Sequence, residues 1–396
     1  MNEERWLLPA GIDELLPPQA RVMERLRREL LDLYASWGYE LVVPPFIDYL
    51  DSLLTGTGQD LDLQTFKLTD QMSGRLLGVR ADMTPQVARM DAHHLRRDTP
   101  TRLCYLGTVL HTRSDGLAST RSPMQIGAEI YGHAGIESDT EILRLILLTL
   151  RAAGIGESYL DLGHVGIYRG LARQAGLSPS QELALFDALQ RKAVPEIESL
   201  IDAFGVRGAP ARMLAVLAEL NGGDALARAA TLLAAADPPV REALDYLHRL
   251  AEELGHWLPE VSVHYDLAEL RGYRYKTGAV FAAFVPGWGL EVARGGRYDD
   301  IGRVFGRARP AVGFSADLKG LLRHGRRAED ETVDGAILAP WTADHALREV
   351  VDGLRASGRR VIHALPGQDR HPRAMGCRQH LVERDGRWQL DDLPAD

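Results

Sequence analysis

Two short segments of this chain concentrate side chains that could do chemistry. The first is Ser122–Gly132, SPMQIGAEIYG. As a strand it puts Met124, Ile126, Ala128 and Ile130 on one face, and Gln125, Gly127, Glu129 and Tyr131 on the other. The first face is apolar and should meet a core. The second carries an amide and a carboxylate with a glycine between them, which predicts a small polar hollow in a sheet. A carboxylate buried there needs a cationic partner, from the protein or from a ligand ammonium. Periodicity alone favours a solvent-facing strand with scattered polar residues. The second segment, Arg80-Ala81-Asp82-Met83-Thr84-Pro85-Gln86 at another strand end, is of the same kind and favours the pocket.

Common catalytic signatures are missing. The sequence has no Walker A loop, no GxSxG elbow and no HExxH helix. Gly56-Thr57-Gly58 is a lone glycine pair and implies only a mobile loop. His371, Cys377 and His380 are soft ligands close together, but in an Arg-rich tail they read as solvated surface, so no metal is expected. No cofactor is expected either. The 396 residues are 45% apolar and 26% charged, with a net charge of −9. That balance argues against a surface that tracks nucleic acid throughout, although it allows a local basic patch. Two cysteines far apart exclude a disulfide framework and suit a reducing compartment. The N-terminus lacks a basic region followed by an apolar run, and the apolar stretch Ile142–Leu150 is broken by Arg144. A soluble cytoplasmic protein with no membrane contact is expected.

These residues need a scaffold to position them. Apolar residues at Val22, Leu26, Leu30, Leu33 and Trp37 mark one helix face, which Gly38 ends. Tyr39–Val43 reads as a short strand, and Thr65–Leu68 with Arg75–Val79 as a hairpin. Arg102–Leu110 and Pro123–Tyr131 read as a strand pair. A helix is expected to open near Ser138, with Glu141 completing a capping box, and to run to about Ala153. Between about Leu171 and Leu258 the chain is rich in Ala, Leu, Glu and Arg, predicting about four helices. Strand patterns resume at Val261–Leu267, Ala279–Phe284 and Leu290–Ala293. Beyond the basic run Arg323–Arg327, the pattern of strand (Gly335–Pro340), helix (Asp344–Ser357) and strand (Arg359–Leu365) suggests a βαβ fragment.

Taken in order, the motifs resemble the catalytic core of a class II aminoacyl-tRNA synthetase, specifically the histidyl-tRNA synthetases, from about Pro9 to Leu322. The likeness rests on PAGIDELLP, VRADMTP, QIGAEIYG, LRGYRYKTGAVF (Leu270–Phe281), GGRYD (Gly295–Asp299) and PAVGFS (Pro310–Ser315). It implies an α+β fold: a mainly antiparallel sheet flanked by helices, with a helical insertion, usually in a homodimer. The implied division is 1–170 and 259–325 for the two halves of the core, 171–258 for the insertion and 334–396 for a small truncated C-terminal α/β domain. For a histidine pocket the resemblance implies Asp82, Thr84, Gln125, Glu129, Arg271 and Tyr275. It also marks a departure, Lys276 standing where the family has a second tyrosine.

The ATP-handling positions depart further. The synthetase motif Phe-Arg-x-Glu falls on Leu110-His111-Thr112-Arg113, so a phosphate-clamping arginine is His111 and the acid is reversed to Arg113. The Gly-Leu-Glu-Arg motif falls on Asp317-Leu318-Lys319-Gly320, so the second arginine is Gly320. Arginine's planar fork holds phosphate bidentately, which neither His nor Gly can do. Loss of one preorganised charge-stabilising group costs about 10²–10³ in rate, so losing two should abolish adenylation. The segment after Gly335 is also too short for a synthetase's anticodon-binding domain, so tRNA is not expected as a ligand.

A kept histidine pocket beside a dismantled ATP site resembles the regulatory subunits of ATP phosphoribosyltransferase, synthetase paralogues of histidine biosynthesis. That resemblance implies a non-catalytic chain that partners a short-form catalytic subunit, forms a self-dimer through the class II core and takes L-histidine as effector. Two alternatives stand beside it: an active histidyl-tRNA synthetase, and a free-standing histidine sensor with another partner.

Overall fold

The computed structural model describes residues 6–55, 59–114, 120–270, 272–273, 275–325, 335–367 and 371–394. Gly56–Gly58, Arg271 and part of the basic run before Gly335 lie outside them. The chain divides into two compact units, Met1–Arg326 and Arg327–Asp396.

The first unit is built on strands β1 (Glu40–Leu41), β5 (Thr101–Thr108), β6 (Met124–Tyr131), β7 (Tyr159–His164), β8 (Asn221–Gly222), β9 (Ser262–Asp266), β10 (Ala279–Phe284), β11 (Glu291–Arg297) and β12 (Ala311–Asp317). They form one sheet in the order β1-β5-β6-β12-β11-β10-β7-β9-β8. Only the β1–β5 and β7–β9 pairings are parallel. A small antiparallel sheet, β2-β4-β3, is made by β2 (Ile47–Tyr49), β3 (Phe66–Thr69) and β4 (Leu76–Val79).

Helix α1 (Gln19–Ser36) follows the sequence pattern closely, burying Leu26, Leu30 and Tyr34 on one face. Gly38 leaves it at φ +82°, a conformation that favours glycine. Two short helices, α2 (Leu50–Leu54) and α3 (Gln59–Gln64), precede the hairpin β3–β4, and α4 (Thr84–Arg89) follows it. Helix α5 (Ile136–Ala152) starts earlier than the expected Ser138, and the capping box does not form. Both would-be cap residues are taken by tertiary contacts. The Ser138 hydroxyl accepts from Arg297 at 3.0 Å, and Glu141 takes a bidentate bond from Arg102 at 2.7 Å to each oxygen.

The helix-rich stretch holds α6 (Val165–Gln174), α7 (Pro179–Gln190), α8 (Val194–Ala203), α9 (Gly208–Val216), α10 (Ala225–Leu232) and α11 (Pro238–Trp257). This is more than the four expected, because short Ala-rich helices separated by single turns merge in the sequence pattern. Nor is the stretch all helix, since β8 leaves it to pair with β9 at the sheet edge. Helix α12 (Leu318–His324) follows β12 directly, and no described helix is long and apolar enough to cross a membrane.

In the second unit, β13 (Ala336–Ala339) and β14 (Val361–His363) pair in parallel around α13 (His345–Ala356), as the sequence pattern suggests. Its core is Ile337, Ala339, Leu347, Val351, Val361 and Leu381. Two further strands, β15 (Cys377–Arg384) and β16 (Arg387–Asp392), complete the order β14-β13-β15-β16. They escape the sequence reading because β15 buries only Cys377 and Leu381 among mostly polar residues and β16 is mostly exposed.

Candidate ligand-binding site

Strand β6 runs through the sheet with β5 on one side and β12 on the other, so Glu129 lies opposite Leu103 and Gly313. Gly313 is required there. A Cβ at that position would stand 1.5 Å from Glu129 Oε2, so only a bare backbone leaves room for the carboxylate. Gly127 plays a different part from the one expected. The space above it is not a hollow, because the Tyr105 ring fills it, and a Cβ on Gly127 would come within 2.4 Å of that ring.

Glu129 is fully buried, and hydroxyls rather than a contact ion pair hold it. Tyr105 Oη donates to Oε1 at 2.9 Å and Thr84 Oγ1 to the same oxygen at 3.2 Å, while Tyr298 Oη donates to Oε2. Burial pushes the carboxyl pKa up. The two tyrosine bonds and the positive charge of Lys276 draw it back only in part. Lys276 is itself buried, with Nζ 5.1 Å from the Tyr298 ring centroid and 5.4 Å from that of Tyr275. Burial pushes its ammonium pKa down, against the attraction of Glu129 and Asp82.

A second polar knot sits beside Glu129. Gln125 Nε2 donates to Asp82 Oδ1 at 2.8 Å, and Gln125 Oε1 accepts from the Met83 amide at 2.9 Å. The same Asp82 oxygen accepts from the Thr84 amide at 2.9 Å. This fixes the loop leading into α4 against β6. Asp82 Oδ2 has no hydrogen bond of its own among the described residues.

Asp82, Thr84, Gln125, Glu129 and Tyr275 therefore line one cavity of about 700 Å³, together with Lys276 and Tyr298. That is ample for a small amphoteric ligand. Arg271 lies outside the described residues. Tyr105, Tyr298 and Lys276 are the contributors that residue spacing did not single out. Tyr105 and Tyr298 reach Glu129 from β5 and from the loop after β11, a convergence that exists only across strands.

The far end of the same cavity holds His111 and Gly320, whereas Arg113 is exposed outside its lining. His111 Nε2 lies 2.9 Å from Ala81 O, where a ring N–H donates to the carbonyl. Asp317 dominates this end. It accepts from the Met124 amide at 3.0 Å and from the Lys319 and Gly320 amides at 3.1 Å each. Those two amides open α12, so the donors that a helix start would offer an incoming anion are already engaged by a carboxylate. Lys319 is turned away, with Nζ 2.8 Å from Asp13 Oδ1 and 3.2 Å from Ser122 Oγ. A polyphosphate entering here would meet the Asp317 carboxylate and spent amide donors, with the lining Arg323 already ion-paired to that carboxylate at 3.6 Å.

With this geometry in view, comparison with known proteins is informative. Residues 11–321 match the histidyl-tRNA synthetase family, and residues 334–391 match the ATP phosphoribosyltransferase subunit HisZ C-terminal domain. The ATP phosphoribosyltransferase regulatory subunits of Alkalilimnicola ehrlichii and Thioalkalivibrio sulfidiphilus are each 58% identical to this chain. The matches span 97% and 99% of it, and 96% and 100% of those proteins. The chain belongs to the family of ATP phosphoribosyltransferase regulatory subunits. A crystal structure described as an ATP phosphoribosyltransferase regulatory subunit/histidyl-tRNA synthetase from Bacillus halodurans superposes with a TM-score of 0.82 at 26% identity. It covers 93% of this chain and 95% of that one, and carries the same class II synthetase-like α+β fold. Members of this regulatory family thus share the synthetase architecture in which the cavity is set.

Proposed function

We propose that the chain is the non-catalytic regulatory partner of a short-form ATP phosphoribosyltransferase catalytic subunit, that it binds L-histidine in the Glu129 cavity, and that the catalytic chain needs it for activity and for feedback inhibition. The observation that carries this reading is the contrast within one cavity. Its inner end groups a buried carboxylate, Asp82, Gln125 and a buried ammonium, a set suited to an amino acid. Its outer end has His111 and Gly320 at the two positions where the synthetases it resembles carry phosphate-binding arginines, and the Arg323 that does line it is paired with Asp317. Such a pocket senses an amino acid without activating it. The exposed Leu41, Val43, Phe46, Ile47, Leu68 and Leu76 along β1 and the small sheet support a self-dimer through this part of the core.

The test is co-purification with a short-form catalytic chain, followed by phosphoribosyltransferase assays with and without histidine. The expected result is a stable complex whose activity exceeds that of the catalytic chain alone and falls as histidine is added. A catalytic chain equally active and equally inhibited without its partner refutes the proposal. Light scattering on the isolated chain should give twice the monomer mass.

A further inference from the structure

Lys276 is a buried cation that the hydrogen-bonded frame around Glu129 does not use. Its backbone is fixed on both sides, the amide donating to Gly272 O at 2.8 Å and the carbonyl accepting from Arg169 at 3.2 Å. The aliphatic stem passes close to Gly272 and Gly296, where added Cβ atoms would stand 3.0 and 3.3 Å from it. The ammonium therefore has a set position on the cavity wall, over the Tyr298 ring. No described carboxylate lies within ion-pairing distance of it. The charged groups that act on it are Glu129 on β6, Asp82 before α4, Arg294 on β11 and Asp139 on α5, with the Tyr275 and Tyr298 rings against it. An acceptor and a donor thus border the same cavity, apart from each other.

Building on the histidine reading above, we propose that Lys276 donates a hydrogen bond to the unprotonated nitrogen of the ligand's ring while Glu129 accepts from its N–H, so that the pocket selects neutral imidazole over imidazolium. The chemistry follows from the donor inventory. An ammonium has three donors and no acceptor, so it can meet only a nitrogen with a free lone pair. Neutral imidazole offers one N–H and one lone pair, matching a carboxylate on one side and an ammonium on the other. Imidazolium offers two N–H groups and a positive charge, which Lys276 repels. The downward shift of the Lys276 pKa and the upward shift of that of Glu129 both follow chiefly from burial, which their mutual attraction offsets only in part.

Calorimetric titration of the full-length chain with L-histidine between pH 7.5 and 5.5 tests this. Ring protonation below about pH 6.5 should weaken binding roughly tenfold over that range. Triazolylalanine, whose ring stays neutral but keeps a donor and an acceptor, reports the protonation of Glu129 alone, whose pKa burial raises to about 7, and should therefore lose less affinity than histidine over the same range. In Lys276→Met the excess loss of histidine affinity over that of triazolylalanine should vanish or reverse, because imidazolium then meets Glu129 unopposed. Lys276→Gln, which can still donate to the ring, should lose the charge repulsion and show a shallower slope. Histidine affinity that falls no further than that of triazolylalanine toward pH 5.5 in wild type, or an excess loss unchanged in Lys276→Met, overturns the inference alone. Absence of histidine binding at every pH overturns it together with the histidine pocket on which it rests.

Discussion

Three hydroxyls converge on Glu129, yet burial still raises its pKa, so hydrogen bonding offsets only part of the desolvation. Lys276 shifts toward its neutral form for the same reason. A carboxyl raised in the fold contributes stability only below its unfolded pKa and loses it as pH rises through the folded value. A depressed lysine contributes only above its unfolded pKa and has lost that stability at neutral pH. Both groups therefore cost stability near pH 7.5 in the empty protein. Replacing a buried pair by neutral groups of similar size is often neutral or stabilising by about 1–4 kcal/mol. Glu129→Gln/Lys276→Met should accordingly match or exceed wild type in urea denaturation at pH 7.5, and a clear loss of stability would show that the pair is net favourable. Ligand binding should respond in the opposite direction. Glu129 accepts from the ring N–H in the proposed mode, and a hydrogen bond to a charged group is worth about 1.5–3 kcal/mol, so Glu129→Ala should weaken histidine binding roughly 10-fold to 150-fold. Unchanged affinity by calorimetry would place the ligand elsewhere. Glu129, Gln125 and Asp82 were legible in the sequence because alternation along one strand and the order of motifs mark them. Tyr105 and Tyr298 were not, since what aims them at Glu129 is the register between strands.

At the level of elements, the pocket depends on what β12 and α6 do locally. Gly313→Ala would drive a methyl into Glu129 Oε2, and overpacking of this kind typically costs about 1–3 kcal/mol. We expect a lower melting temperature together with weakened histidine binding, whereas Gly320→Ala, whose Cβ meets only Asp317 at 3.4 Å, should change the melting temperature little. The start of α6 gives a pH signature. His164 Nδ1 accepts the Gly166 amide at 3.0 Å, which requires an unprotonated ring, and burial with Arg169 and Arg297 nearby pushes its pKa down from 6.5 to about 4. Above pH 6.5 both folded and unfolded chains carry the neutral ring and its stability is fully present. As pH falls from 6.5 toward 4 the unfolded chain takes up the proton first, and stability is lost. His164→Asn can keep the acceptor but cannot titrate, so its melting temperature should fall less steeply over that window. Identical slopes would assign the pH dependence to other groups. Helix α1 and the β5–β6 pair could be read from periodicity because their apolar faces decide them. The start of α5 could not, since Arg297 and Arg102 draw Ser138 and Glu141 away from capping. Strands β15 and β16 were hidden because their sequences carry no regular apolar alternation, β15 burying only Cys377 and Leu381 and β16 none of its residues.

On the scale of the whole molecule, one cavity with an amino-acid end and a nucleotide-hostile end divides what the chain can do from what it must leave to a partner. The isolated chain should show no histidine-dependent ATP–pyrophosphate exchange above a buffer control, and clear exchange would restore an active synthetase. The order of the motifs made this fold legible from sequence alone. That Asp317 engages the first amides of α12 became visible only in three dimensions. If histidine regulates the assembled complex, it must bind the active and inhibited states with different affinities, because equal binding shifts nothing. Linkage makes that difference reciprocal. Whatever factor histidine applies to the partner's affinity for ATP or phosphoribosyl pyrophosphate, those substrates apply to histidine's affinity, typically about 5–150-fold. Titrating histidine into the complex with and without saturating substrate should therefore give two dissociation constants whose ratio equals that measured for substrate with and without histidine. In Glu129→Ala both histidine curves should move to higher concentration together. A histidine affinity indifferent to substrate, in a complex that histidine still inhibits, would confine the inhibition to a catalytic step and remove binding linkage as its cause.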